Sequence, residues 1–332
     1  MSDILQNPCF TGAFLLMMVC IFAGYLFRRF RVVGEEGKKA ITAVVWKLGL
    51  PCLAFTSFQR DFSLTELRNG LSVLLASALF YFIFIVFGRL LFAKAGKTKA
   101  KVAALMGALG QLTLFTLPLL RSLGDEETVL FCNMMTLSFR GVLYFAALPL
   151  IMGCRQDGNS PARLGSAVKK VFLNPVMPAM LLGFAIWLTQ GILPRVDGVC
   201  CLRLDLSLPG VFDVMSKLSD LVCPLAMLLI GLSMGACPLS RVLTDFSAWG
   251  VALFRTVFVP LTVYAVTKSL PGIFPGTAVA ALTLGFAAPA SVTVCTFCAE
   301  AGTEEEFAAR SAALTALLCL LTVPVFYVLP TA

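Results

Sequence analysis

Ten apolar stretches, separated by short polar connections, fill this chain of 332 residues almost from end to end. They run approximately 9–27, 40–58, 70–93, 102–120, 128–152, 173–192, 213–236, 247–268, 277–299 and 308–329. A hydrocarbon layer of ~30 Å is crossed by a helix of about 20 apolar residues, whereas a tilted barrel strand needs only about 9–11. Inside lipid, only helices and closed barrels satisfy their own backbone polar groups. The stretches have helix length, so the chain reads as an all-α integral membrane protein with ten transmembrane helices. No connection has room for a soluble domain.

Composition agrees, with 59% hydrophobic and 13% charged residues, against about 25% charged in an average soluble domain. The net charge of +8 does not point to nucleic acid, because the basic residues lie in short loops between apolar spans. There they act as topology determinants. Most of the 12 cysteines fall inside apolar spans, where Cys behaves as a small hydrophobe; Cys200-Cys201 is the one pair in a loop. The absence of histidine removes the commonest metal ligand and the usual near-neutral proton shuttle. Arg28, Arg29 and Arg31 follow the first span, as after an ordinary membrane span rather than a cleaved signal peptide. The loops after spans 1, 3, 5, 7 and 9 hold most of the loop Lys and Arg residues, including Lys38, Lys94, Arg155, Lys169, Arg241 and Arg310. That richer set belongs in the cytoplasm, which predicts that both termini face outward.

Two spans are not written as simple lipid-crossing helices. Gly110-Gln111-Leu112-Thr113-Leu114-Phe115-Thr116-Leu117-Pro118 puts an amide, two hydroxyls, a glycine and a proline in mid-span. Gly285-Phe286-Ala287-Ala288-Pro289-Ala290-Ser291-Val292-Thr293 has the same character near the other end. Proline removes a donor and clashes with the preceding turn, and backbone freed at membrane depth is tolerated only against protein or a water-filled cavity. Pro118 and Pro289 are therefore read as helix breaks. Asn7-Pro8 and Asn174-Pro175, Pro51 and Pro224, and Pro118 and Pro289 recur in order at similar intervals. Five spans per half is odd, so the second half enters from the opposite side. Interrupted spans at corresponding places in two inverted halves point to a transporter's binding site.

The residues Leu50-Pro51-Cys52-Leu53-Ala54-Phe55, Leu117-Pro118-Leu119, Leu173-Asn174-Pro175, Pro224–Gly231 and Ala288-Pro289-Ala290-Ser291 resemble, in kind and order, the motifs of the auxin efflux carrier family, which includes plant PIN carriers and bacterial organic-anion permeases. The resemblance implies the fold shared with bile acid/sodium symporters and sodium/proton antiporters. It implies two inverted five-helix repeats, residues 1–152 and 173–332 joined by a cytoplasmic linker 153–172, with helices 4 and 9 broken and crossing near the midplane. Spans 1, 2, 6 and 7 would form a scaffold and spans 3–5 and 8–10 a moving transport domain, in a homodimer at the cell membrane. Gln111 stands where the family usually has Asn, and Thr113 and Thr116 replace glycines, which bears on substrate identity more than on mechanism.

Gln111, Thr113 and Thr116 are candidate substrate ligands at the helix-4 break; the alternative is that they satisfy freed backbone or a neighbouring helix. Ser291 and Thr293 play the matching part where a half-helix begins, an end that favours anions. Arg140 lies mid-way along span 5, where a charge costs roughly 2.5–3.5 kcal/mol on insertion scales. Arg grips carboxylates bidentately, so Arg140 is expected to bind an organic anion; a fixed pair with Asp220 or Glu300 is the alternative. Asn133 is expected to line the same cavity. Asp220 and Lys47, each four residues before a proline, are candidates for coupling or gating, or else interfacial groups that snorkel. Arg255, before Pro260, is expected to be structural, pairing with an acidic neighbour. No Walker loop, dinucleotide fingerprint or metal-ligand spacing is present, so no cofactor, catalysis or ATP hydrolysis is expected. The resulting expectation is a secondary transporter of small organic anions such as mono- or dicarboxylates. A sodium- or proton-coupled ion exchanger, or a bile-acid-type symporter on the same fold, is the alternative. An ion exchanger would want a paired acidic centre, and neither broken stretch holds an Asp or Glu.

Overall fold

The computed structural model describes residues 8–122, 126–154, 175–190, 195–196, 199–200, 202–235 and 239–331. Asn7, Asn174, Cys201 and nearly all of the linker 153–172, with Arg155, Arg163, Lys169 and Lys170, lie outside the described residues. The chain is built of helices: α1 Pro8–Arg29, α2 Glu35–Thr56, α3 Leu64–Leu91, α4 Lys97–Ala108, α5 Leu112–Arg121, α6 Glu126–Met152, α7 Val176–Thr189, α8 Pro209–Met234, α9 Phe246–Lys268, α10 Gly276–Ala287, α11 Val292–Ala301 and α12 Glu305–Thr331. Six of these, α2, α3, α6, α8, α9 and α12, are long and apolar enough to cross a membrane. Among the described residues the only strands are β1 Arg195–Val196 and β2 Val199–Cys200, an antiparallel pair.

Proline reshapes these helices in the same way at four places, although Pro224 in α8 and Pro324 in α12 stand without it. The ring of a mid-helix proline would strike the carbonyl four residues back, and the proline has no N–H to give it. A single widened π turn relieves both problems. Such turns span Val45–Gly49, Leu112–Thr116, Leu143–Ala147 and Phe254–Phe258, just ahead of Pro51, Pro118, Pro149 and Pro260. In each, the residue before the proline donates to the carbonyl five residues back: Leu50 to Val45, Leu117 to Leu112, Leu148 to Leu143 and Val259 to Phe254. Helix α3, with no proline, runs unbroken for 28 residues from a Ser63 cap that accepts the Glu66 N–H.

The helices pack in two groups. In one, α1 crosses α8 at Gly24 and Gly231, where a Cβ would stand 2.3 Å from the Leu228 carbonyl and 2.0 Å from that of Ile21; small residues admit such close backbone approach in membrane helices. Helix α2 packs on α7 and α8 beside this crossing. In the other group α3 lies on α4 and α6, α10 on α6, α9 and α12, and α9 on α12. The face of α3 away from the core exposes Leu71, Leu75, Leu79, Phe82, Val86 and Leu90, an apolar stripe suited to hydrocarbon.

Candidate functional site

The second group is interrupted where α4 hands over to α5 and α10 to α11. Both passages are short and extended, and they hydrogen-bond to each other. Gly110 and Ala290 form an isolated antiparallel bridge. The Gln111 N–H donates to the Pro289 carbonyl at 2.7 Å, and the Ser291 N–H to the Leu109 carbonyl at 3.0 Å. The Ala290 N–H is taken by Thr315 Oγ1 at 3.0 Å. Backbone groups that lipid could not satisfy thus satisfy one another. Four half-helix ends meet here: the C-terminal ends of α4 and α10, and the N-terminal ends of α5 and α11.

Gln111 links the two N-terminal ends. Its Oε1 accepts the Val292 N–H at 3.1 Å, capping α11 from the other half of the chain. Ser291, the residue in the usual cap position, makes no side-chain cap bond. The longer stem of glutamine makes this reach possible. Its amide nitrogen has no partner among the described residues, and Gln111 borders a cavity of about 290 Å³. Trp46, Leu114, Tyr144, Ser233, Thr293 and Lys38 line the same space. A second cavity of about 190 Å³ shares Lys38, Gln111, Ser233 and Val292 and reaches Pro289 and Ala290. The cavities lie between α8 of the first group and the crossing of the second. Among the described residues no Asp or Glu lines either one.

Arg140 is 2% exposed and borders neither cavity. Its guanidinium stacks 5.6 Å from the centroid of the Trp46 ring, and Trp46 is a cavity wall. Nε and Nη2 of Arg140 have no hydrogen-bond partner among the described residues. The alternative of a fixed ion pair is not realised: Asp220 faces Arg121 at 3.8 Å and is largely exposed, and Glu300 is exposed on α11. Lys47 is exposed as well, so neither it nor Asp220 reaches the crossing.

Other expected residues fall differently. Thr293 lines the cavity. Thr113 and Ser291 are buried in the crossing, and their hydroxyls have no partner among the described residues. Thr116 Oγ1 donates to the Leu284 carbonyl at 3.4 Å, tying α5 to α10. Asn133 does not line the cavity; its Nδ2 bonds Ser57 Oγ beyond the end of α2. Pro118 is not the break. The chain parts at Leu109–Gln111, and Pro118 sits inside α5 behind its π turn, whereas Pro289 does lie in the passage between α10 and α11. The expected acidic partner of Arg255 is also absent among the described residues; Arg255 instead binds backbone carbonyls.

Sequence reasoning missed Trp46, Tyr144 and the position of Arg255, although the chain carries a signal for them. Trp46, Thr113, Tyr144 and Arg255 are each five residues before an in-span proline. Each of these four sits in a π turn, where the backbone widens and side chains are re-aimed, as is frequent at functional sites, although the spacing alone does not require one: Pro224 and Pro324 have none ahead of them.

Long apolar helices, broken spans and a mainly apolar cavity with a few polar side chains at their crossing mark a multi-pass membrane protein of the transporter class. The model of the membrane transport protein family matches residues 10–154 and 160–327. The chain belongs to that family, the one that includes the auxin efflux carriers. No curated protein matches it.

Proposed function

We propose that this protein is a secondary carrier of small organic anions, mono- or dicarboxylates, working by alternating access across the cell membrane with both termini outside. The observation that carries this reading is the chemistry of the cavity at the crossing. It offers Gln111, Thr293, Tyr144, Ser233 and Lys38 among mainly apolar walls, and no carboxylate among the described residues. The N-terminal end of α11 is beside it, and such ends carry about +0.5 charge. An anion fits this lining; an ion exchanger that needs a carboxylate pair does not.

Gln111 Nε2 and Thr293 are the direct ligands in this reading. Arg140 supplies the opposing charge from behind Trp46, and a turn of the indole would bring the two together. Thr113 and Ser291 provide hydroxyls inside the crossing, while Thr116 and Asn133 hold helices in register. The grouping of α1, α2, α7 and α8 apart from the rest supports an elevator, in which the crossing moves as one body against a scaffold, with two inverted five-helix halves and a homodimer formed through the scaffold. Proteoliposome flux with labelled carboxylates, under imposed proton, sodium and voltage gradients, tests the reading. Uptake of at least one, lost in the Arg140 variant and weakened in affinity in the Gln111 variant, is expected. Failure of every carboxylate both to move and to stabilise the purified protein would refute it.

A further inference from the structure

The charge at the crossing is set by a side chain that touches neither cavity. Arg255 leaves α9 from its π turn and is 0% exposed. Its Nε donates to the Ala288 carbonyl at 2.8 Å and its Nη1 to that of Ala108 at 2.7 Å. The Gly107 and Gly285 carbonyls lie 3.5 Å from Nη1 and Nη2. These four carbonyls end α4 or α10 or lie just past it, so one guanidinium closes two antiparallel half-helices. Phe286 covers it at 6.0 Å from the ring centroid, and no carboxylate pairs with it among the described residues.

The electrostatics balance. A helix C-terminus carries about −0.5 charge, so two together present about −1, and a guanidinium brings one positive charge. A cluster of inward carbonyls is also how membrane proteins replace the hydration shell of a monovalent cation. The chain is shaped around the group: a Cβ on Gly110 would stand 1.8 Å from Arg255 Nη2. The residue at the break must lack a side chain because the guanidinium already fills that space.

We propose that the C-terminal side of the crossing is a monovalent-cation site occupied by the chain's own Arg255. The wild-type protein then takes no free cation there, and removal of the guanidinium uncovers a latent site for guanidinium ion and, more weakly, alkali cations. The inference rests on the crossing itself and not on the substrate cavity.

The test is thermal unfolding of purified wild type and Arg255→Ala in millimolar guanidinium, sodium or potassium, with choline at equal ionic strength as reference. Arg255→Ala should unfold at lower temperature and regain about 2–4 °C or more, saturably, with guanidinium. The wild type should not respond. Equal responses in both proteins, or no stabilisation of the variant over choline, would overturn the proposal. Should Arg255→Ala not fold, Arg255→Lys and Arg255→Gln decide. Lys should lie nearer the wild type and ignore added cations, and Gln should respond to them; indistinguishable variants would reduce Arg255 to packing. The readout is binding rather than flux, so its failure would leave the carrier reading untouched.

Discussion

Gly110→Ala is the smallest change that reaches the centre of the molecule. The added methyl carbon would stand 1.8 Å from Arg255 Nη2 and 2.7 Å from Cζ, distances no relaxation of a few tenths of an ångström can repair. The guanidinium must leave its place and give up its bonds to the Ala108 and Ala288 carbonyls. Hydrogen bonds involving a charged group contribute about 1.5–3 kcal/mol each, so two lost bonds cost ~3–6 kcal/mol. At roughly 2–4 °C per kcal/mol for a chain of 150 residues or more, the unfolding midpoint should fall by about 6 °C or more. Gly141→Ala is the control: it too lies on a membrane helix, α6, and its Cβ would meet nothing within 4 Å. Helix propensity predicts that this control is neutral or stabilised by up to ~1 kcal/mol. Tryptophan fluorescence during heating reads both. In an Arg255→Ala background the Gly110→Ala cost should largely vanish, because the clash partner is gone, and the cycle measures that coupling. A Gly110→Ala protein within 1–2 °C (about 0.5 kcal/mol) of the wild type, or a cost that persists without Arg255, would refute the reasoning.

Arg140→Gln should abolish organic-anion uptake while leaving the unfolding midpoint unchanged or raised, since it removes a buried charge whose Nε and Nη2 bond nothing and an unpaired buried charge is itself costly; a folded variant with normal uptake removes Arg140 from the substrate path. Gln111→Ala frees the Val292 N–H and deletes a cavity donor. Its stability cost should be about 1 kcal/mol, as for a lost helix cap, while KM for the anion rises at least about tenfold, the equivalent of ~1.4 kcal/mol; an unaltered KM would leave Gln111 a cap only. Asp220→Asn and Lys47→Gln, both at exposed positions, should keep wild-type flux and the wild-type response to imposed pH gradients. A changed pH response in Asp220→Asn would return that residue to the coupling path.

What could be read in the sequence and what could not divide along a physical line. The apolar stretches and the polar insertions at Gln111 and Ser291 are local properties, and the described residues of the stretches are mostly helical, with extended passages at 109–111 and 288–291. The break itself was misread at Pro118 because proline acts backwards along a helix. Its ring disturbs the carbonyl four residues earlier, and the chain answers with a π turn there rather than a gap at the proline. The same displacement brings Trp46 and Tyr144 to the cavity wall. Arg255 was legible as a buried charge but not as a ligand of carbonyls. Its partner at Ala108 is 147 residues away in sequence, and nothing local to Arg255 records that two helices end beside it. The acidic partner expected for it follows from counting side chains alone; in a broken helix the backbone carries charge too. Once the half-helix ends enter the balance, the two C-termini need one cation and already have it in Arg255. The two N-termini remain positive, and that remainder is what an anionic substrate would neutralise.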